Sequence, residues 1–247
     1  MSEPQVPSAA TTQPSAAAPP LADETLNVSQ KRKIIAQRLV DSKFSAPHYY
    51  LKVRAQMDEV MQARKALNAR LKEKVSLNAF LLKFAAEAIK KHPIINSTWK
   101  GETIIKHGSV DIGLAVAQPD GLITPVVRDC TQKGILTIDQ ELKALIQKAQ
   151  NNRLDPSEYT GATFTISSLG SFGIEEFTAI INPPGSAILA IGEIWKEPVV
   201  DDHDQIVIHA NMRMTLSCDH RVIDGAVGAA FLKDLKDTLE HPIRVLY

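Results

Sequence analysis

Apolar and polar positions along this chain switch between two periods, and the switches mark out its elements. Ser29 precedes a stretch with Ile35, Ala36, Leu39 and Val40 on one face, which predicts a capped helix ending near Ser42. His48 to Met57 alternates, with Leu51, Val53, Ala55 and Met57 on one side and Lys52, Arg54 and Gln56 on the other, as a half-buried strand does. Helices are predicted from Asp58 to Glu73 and from Leu77 to Lys91, the second capped by Ser76 and closed by Pro93. Short strands follow at Asn96–Trp99 and Thr103–Lys106. Val110–Gln118 and Leu122–Val127 read as a hairpin turning at Pro119-Asp120-Gly121. Thr137 with Gln140 makes a capping box for a helix to about Gln150, and Asp155-Pro156-Ser157-Glu158 opens a further helical turn. Strands dominate from Ala162 to Cys218, before an apolar helix from Ala226 to Leu239. Interleaved helices and strands, followed by clustered strands, predict α/β (α+β) layers around a mixed sheet with flanking helices.

Composition narrows the function classes. A chain of 247 residues, 44% hydrophobic, can bury a sizeable core. Its 28 basic and 28 acidic residues cancel, so no electrostatic case exists for nucleic acid or an anionic membrane surface. Near-zero net charge suits a surface partly covered by copies of the same chain. Two cysteines, Cys130 and Cys218, make no disulfide framework and suggest a reducing compartment. No apolar run is long enough to span a bilayer, and no secretory signal is evident. Residues 1–27, rich in Ala and Pro with few large apolar side chains, read as a flexible linker leading into a domain over 28–247.

The densest chemistry lies in Ser217-Cys218-Asp219-His220-Arg221-Val222-Ile223-Asp224-Gly225. A strand runs straight into His220, and Asp224-Gly225 follows four residues later, at the start of the last helix. Histidine is the side chain suited to taking a proton near neutrality, although a lone histidine is more often a satisfied core or turn residue. A second segment, Thr163-Phe164-Thr165-Ile166-Ser167-Ser168-Leu169-Gly170, ends a buried-looking strand in a hydroxyl. Ser167 there can be a nucleophile, an oxyanion donor or simply a strand-terminating serine. A Ser-His-Asp hydrolase would carry Gly-x-Ser-x-Gly, which Thr165-Ile166-Ser167-Ser168-Leu169 is not. Cys218, His220, His203 and His209 lack the paired spacing of a structural zinc site, so no metal is expected.

Both segments, with others in the same order, resemble the catalytic domains of the dihydrolipoamide acyltransferases. These are the E2 cores of the 2-oxo acid dehydrogenase complexes, distant relatives of chloramphenicol acetyltransferase. The resemblance runs from about Val28 to Tyr247. It is carried by Arg32-Lys33-Ile34-Ile35-Ala36-Gln37-Arg38-Leu39, Pro47-His48-Tyr49-Tyr50, Gly121-Leu122-Ile123-Thr124-Pro125, Ala179-Ile180-Ile181-Asn182-Pro183-Pro184 and Ala190-Ile191-Gly192. Within the family, Phe172-Gly173-Ile174 and Ser217-Cys218-Asp219-His220 are most similar to the pyruvate-complex acetyltransferases.

The resemblance implies acetyl exchange between coenzyme A and a dihydrolipoamide presented by a lipoyl domain that this chain does not contain. His220 would be the general base toward the CoA thiol and Ser167 the oxyanion donor. Asp224, paired with Arg38 and followed by Gly225, would support the loop. CoA contacts would fall at Arg64, Ser76, Gln147 and Ser168, of which Ser76 also reads as a helix cap and Arg64 as a solvated charge. The expected assembly is a homotrimer with the site between subunits, built into a larger cage. Ile243, Val245, Leu246 and Tyr247 would plug into another trimer. Pyruvate dehydrogenase (E1) and dihydrolipoamide dehydrogenase (E3) would bind through upstream domains that are missing here. The location would be bacterial cytoplasm or mitochondrial matrix. A succinyl- or branched-chain-acyl transferase core, and a non-catalytic structural core of the same fold, are the alternatives.

Overall fold

Strand alternation beginning at His48 sets one edge of the sheet, and strong local caps set the helices. The computed structural model describes residues 23–118, 121–201 and 203–245. The chain runs through α1 (Gln30–Ser45), β1 (His48–Gln56), α2 (Asp58–Asn68) and α3 (Leu77–Lys91). Then come β2 (Ser97–Trp99), β3 (Ile104–Lys106), β4 (Ile112–Leu114), β5 (Val116–Gln118), β6 (Gly121–Ile123) and β7 (Val126–Val127). After α4 (Ile135–Gln150) and the single turn α5 (Pro156–Tyr159), β8 (Phe164–Ser168), β9 (Ala187–Val200) and β10 (Ile206–Asp219) lead to α6 (Gly225–Glu240). The main sheet has the order β1-β10-β9-β8-β4-β7. β8 pairs in parallel with β9 and β4, and the other neighbours are antiparallel, so the sheet is mixed as expected.

Local signals held where the bonds they call for are local. Ser29 accepts from the Arg32 N–H and starts α1, and the Ser76 hydroxyl accepts from the Ala79 N–H and starts α3. Three expectations fail. α4 is capped by Gly134 and begins before Thr137, so the proposed capping box lies inside the helix. The expected hairpin is four short strands. β5 and β6 pair with each other, while β4 and β7 pair within the main sheet. Pro119 and Asp120 of its turn, and residues 1–22 of the expected linker, lie outside the described residues. α2 also stops at Asn68, whose side chain binds both the N–H and the carbonyl of Val75 and turns the chain toward α3.

Pleating separates two environments. Met212, Met214, Leu216 and Cys218 of β10, with Leu189 and Ile191 of β9, face the core shared with α3 and α6, where Phe84 and Phe231 are buried. The opposite face carries Thr165, Ser167, Ile188, Thr215 and Ser217. Across it runs a strap, residues 174–186, with neither helix nor strand. The strap's backbone is satisfied by side chains. Ser217 Oγ donates to the Ala179 carbonyl at 2.7 Å, and Ser42 Oγ to the Ile181 carbonyl at 2.6 Å. Gly192 permits the crossing, because a Cβ there would collide with the Glu175 carbonyl.

Candidate functional site

Ser167 sits in β8 where the strap, α1 and the β5–β6 ribbon converge. It is half-buried, and among the described residues its hydroxyl has no hydrogen-bond partner. It borders two cavities. The first, of about 790 Å³, is walled by Ile35 and Arg38 of α1, Leu122, and Ile181 and Asn182 of the strap. The second, of about 690 Å³, is lined by Leu77 and Asn78 at the start of α3, Ile146 of α4, Ser168 and Phe172. Ser167 pairs with Ala190 and shares its sheet face with Thr165, whereas Ser168 pairs with Ile191 and takes the helix side. Adjacent serines therefore serve different faces.

The residues singled out for CoA gather near the second cavity. Arg64 Nε donates to the Val75 carbonyl at 2.8 Å, just before Ser76. The Ser76 hydroxyl donates to Asp139 Oδ1 at 2.7 Å while capping α3, so it is already engaged. Burial raises the Asp139 pKa, but Lys143 and the Ser76 hydroxyl and N–H outweigh it and hold the carboxyl below the usual range. Gln147 lies on α4 between Ile146 and Gln150, both of which line the cavity, and is exposed.

His220 stands at the far end of β10. Its N–H donates to the Pro47 carbonyl at 3.0 Å, and its ring packs on Tyr49 with centroids 4.6 Å apart. Burial, with the Cys218 thiol close by, pushes the Tyr49 phenol well above its ordinary pKa, so the ring beneath His220 stays neutral. The turn is clamped on its other side. Arg221 donates Nε and Nη2 to Asp219, and its guanidinium lies 5.1 Å from the Trp99 ring centroid. His220 is exposed and borders neither cavity. The register puts Ser167 opposite Ala190, and Ala190 opposite Thr215, five residues before His220. At ordinary strand spacings that separates the two side chains by roughly 19 Å. One chain does not bring them together.

The expected Arg38–Asp224 pair is corrected by the structure. Arg38 Nη2 donates to the Pro183 carbonyl at 3.3 Å, at the wall of the first cavity. Asp224 caps α6 through its backbone, its carbonyl accepting from Val227 and Gly228, and makes no side-chain cap bond. Gly225 begins α6, and a Cβ there would meet nothing within 4 Å. Sequence reading missed His48, Ser42, Thr165 and Asn182 as partners of the site, because their roles depend on which strand and strap lie opposite. The Pro47-His48-Tyr49 run was the available signal.

This architecture defines a class. A mixed sheet with flanking helices is matched by chloramphenicol acetyltransferase, with a TM-score of 0.51 over 87% of this chain and 99% of that one. At 13% identity, that likeness extends to the fold alone. Residues 20–247 match the family described as 2-oxoacid dehydrogenases acyltransferase (catalytic domain), and the chain belongs to it. It is 44% identical over 220 residues to a mitochondrial dihydrolipoyllysine-residue acetyltransferase component of pyruvate dehydrogenase complex from Dictyostelium discoideum, covering 88% of this chain and 35% of that protein. The Rickettsia conorii counterpart is 44% identical over 219 residues, covering 87% and 53%. The chain thus spans about a third to a half of the length of these curated relatives. Among solved structures, dihydrolipoamide acetyltransferase of Azotobacter vinelandii matches with a TM-score of 0.86 at 33% identity, over 94% of this chain and 99% of that one. That work concerns the catalytic roles of a serine, a histidine and an asparagine four residues beyond the histidine. The cubic core of a pyruvate dehydrogenase multienzyme complex matches equally well, with a TM-score of 0.86 at 34% identity.

Proposed function

We propose that residues 28–247 are the acetyltransferase core of a pyruvate dehydrogenase complex, with residues 1–27 as a linker and lipoate presented by a domain outside this sequence. The core moves acetyl between dihydrolipoamide and coenzyme A in bacterial cytoplasm or the mitochondrial matrix. One arrangement carries this reading: Ser167, whose hydroxyl has no hydrogen-bond partner among the described residues, borders both cavities, while the strand register sets His220 roughly 19 Å away within the same chain. A histidine from a neighbouring copy completes the site, which accounts for a homotrimer as the working unit and a larger cage built from it.

CoA lies on the α3–α4 side, where Arg64, Ser76, Gln147 and Ser168 gather, and a guanidinium suits its phosphates. The neighbour's His220 takes the proton of the CoA thiol, since the thiolate is the nucleophile. Sulfur attacks the thioester carbonyl, and the oxyanion forms against the Ser167 hydroxyl. Collapse expels the lipoyl thiolate, which recovers the proton from His220. Thioester exchange is nearly thermoneutral, so the protein's work is to position two sulfurs and exclude water.

The A. vinelandii comparison supports a site built on a serine and a histidine and adds two differences. Its asparagine corresponds by interval to Asp224. Asp224 lacks the amide N–H donors of that asparagine, so it supports the loop and is not assigned as an oxyanion donor. The serine-to-histidine interval there is 52 residues, which here falls on Ser168, one beyond the serine that faces the first cavity. Ser167→Ala should lower kcat by about 10²–10³ and Ser168→Ala far less, with His220→Ala abolishing transfer and leaving the assembly intact. The assay is transfer from acetyl-CoA to free dihydrolipoamide, with succinyl-CoA and isobutyryl-CoA as competitors for the acyl assignment. Full turnover in His220→Ala would sink the mechanism, and a larger loss in Ser168→Ala would move the donor one residue.

A further inference from the structure

Residues 46–48 touch both halves of the candidate site. The Pro47 carbonyl holds the His220 N–H at 3.0 Å. The next residue, His48, reaches the strap: the Ile181 N–H donates to His48 Nε2 at 3.1 Å, and His48 Nδ1 lies 2.8 Å from the Ala46 carbonyl. A carbonyl only accepts, so Nδ1 carries the proton. A peptide N–H only donates, so Nε2 is bare. These two partners admit the neutral Nδ1–H tautomer alone.

Ile181 is gripped from its other side as well, its carbonyl accepting from Ser42 Oγ at 2.6 Å. Its side chain is buried and walls the first cavity. The next residue, Asn182, donates Nδ2 to Thr165 Oγ1 at 3.2 Å, and Thr165 precedes Ser167 by two on the same strand face. The cavity wall facing Ser167 is thus located by an imidazole whose neighbour locates the His220 backbone. Hydrogen bonds to a strap without regular structure are few, so each one fixes much of its position.

We infer that His48 is a positioning residue for acyl transfer: through Nε2 it sets the strap wall opposite Ser167. This rests on the function proposed above. Glutamine places Oε1 near the reach of Nε2 and can accept from Ile181, whereas asparagine reaches only as far as Nδ1 and can meet only Ala46. With the full chain, His48→Gln should keep kcat/KM for free dihydrolipoamide within a factor of about two, while His48→Asn and His48→Ala lose about tenfold, the scale of one lost hydrogen bond. All three should assemble to the same size by light scattering. Hydrogen exchange at the Ile181 amide, read without substrate, should quicken in the Asn and Ala variants and not in Gln. Equal exchange in all three would overturn the strap contact. Altered exchange with unaltered kcat/KM would overturn the positioning role. Absence of transfer in the unsubstituted protein would sink the function reading and the positioning role with it, while a Gln-against-Asn difference in exchange would still establish the strap contact.

Discussion

Gly192→Ala tests the strap where no side-chain rearrangement can intervene. The new Cβ would collide with the Glu175 carbonyl oxygen, lying 2.7 Å from its carbon and 3.1 Å from the Ile174 oxygen. These are backbone atoms, so no rotamer relieves them. Ordinary contact begins at 3.4 Å and the carbonyl oxygen is the nearest atom, so the strap must withdraw by well over an ångström. The same withdrawal takes the bond from the Glu193 N–H to the Ile174 carbonyl, now 2.8 Å, beyond bonding range. Overpacking costs about 1–3 kcal/mol and a lost hydrogen bond about 1 kcal/mol, so a loss of about 2–4 kcal/mol is expected. The sign is informative, because Gly→Ala at an unstrained position stabilises by about 0.4–1 kcal/mol through the unfolded state. Gly108→Ala supplies that control, since a Cβ there meets nothing within 4 Å. Urea unfolding at one fixed protein concentration, followed by tryptophan fluorescence, gives both values. If Gly192→Ala proves as stable as Gly108→Ala, the strap does not cross β9 at Gly192.

Three further outcomes follow from burial, charge and the chain end. Burial pushes the thiols of Cys130 and Cys218 up to about 12, so neither should react with a thiol reagent at pH 8 until urea unfolds the chain; prompt labelling of the native protein would contradict this. Asp139 has a folded pKa below its unfolded value, about 3.9, so its stabilising contribution is complete above that pH and is lost as pH falls through the folded value. Asp139→Asn should therefore flatten the fall of urea midpoints below about pH 4, and an unchanged slope would refute the assignment. Ile243, 61% exposed beside the C-terminal tail, suits a plug between trimers. Truncation after Pro242 should yield free trimers by light scattering, and a cage of unaltered size would exclude the plug.

Much of the fold was legible because its signals are local. Ser29 and Ser76 cap helices with bonds spanning three residues, and the alternation from His48 needs only the pleat. Gly134 displaced Thr137 as a cap because the apolar residues Ile135 and Ile138 join the helix that buries Leu142. The strap was the main surprise. Ala179-Ile180-Ile181 is as apolar as a strand, yet its backbone bonds run to Ser42, His48 and Ser217. Those partners lie 38 to 139 residues away in sequence, beyond what a local window can pair.

The sequence by itself determined the chemical inventory: a histidine at a strand end, a hydroxyl at another, caps, and a period of two that puts Ser167 and Ser168 on opposite faces. Only the tertiary structure decided where those groups stand. Pairing β8 to β9 and β9 to β10 leaves Ser167 and His220 two strands and five residues apart. It also gives Arg38 to Pro183 instead of Asp224, and makes His48 one of the side chains that bond the strap backbone. The physical reason is one of range. Caps and pleats are settled by atoms a few bonds away, whereas strand order and strap contacts are settled by how the whole core packs.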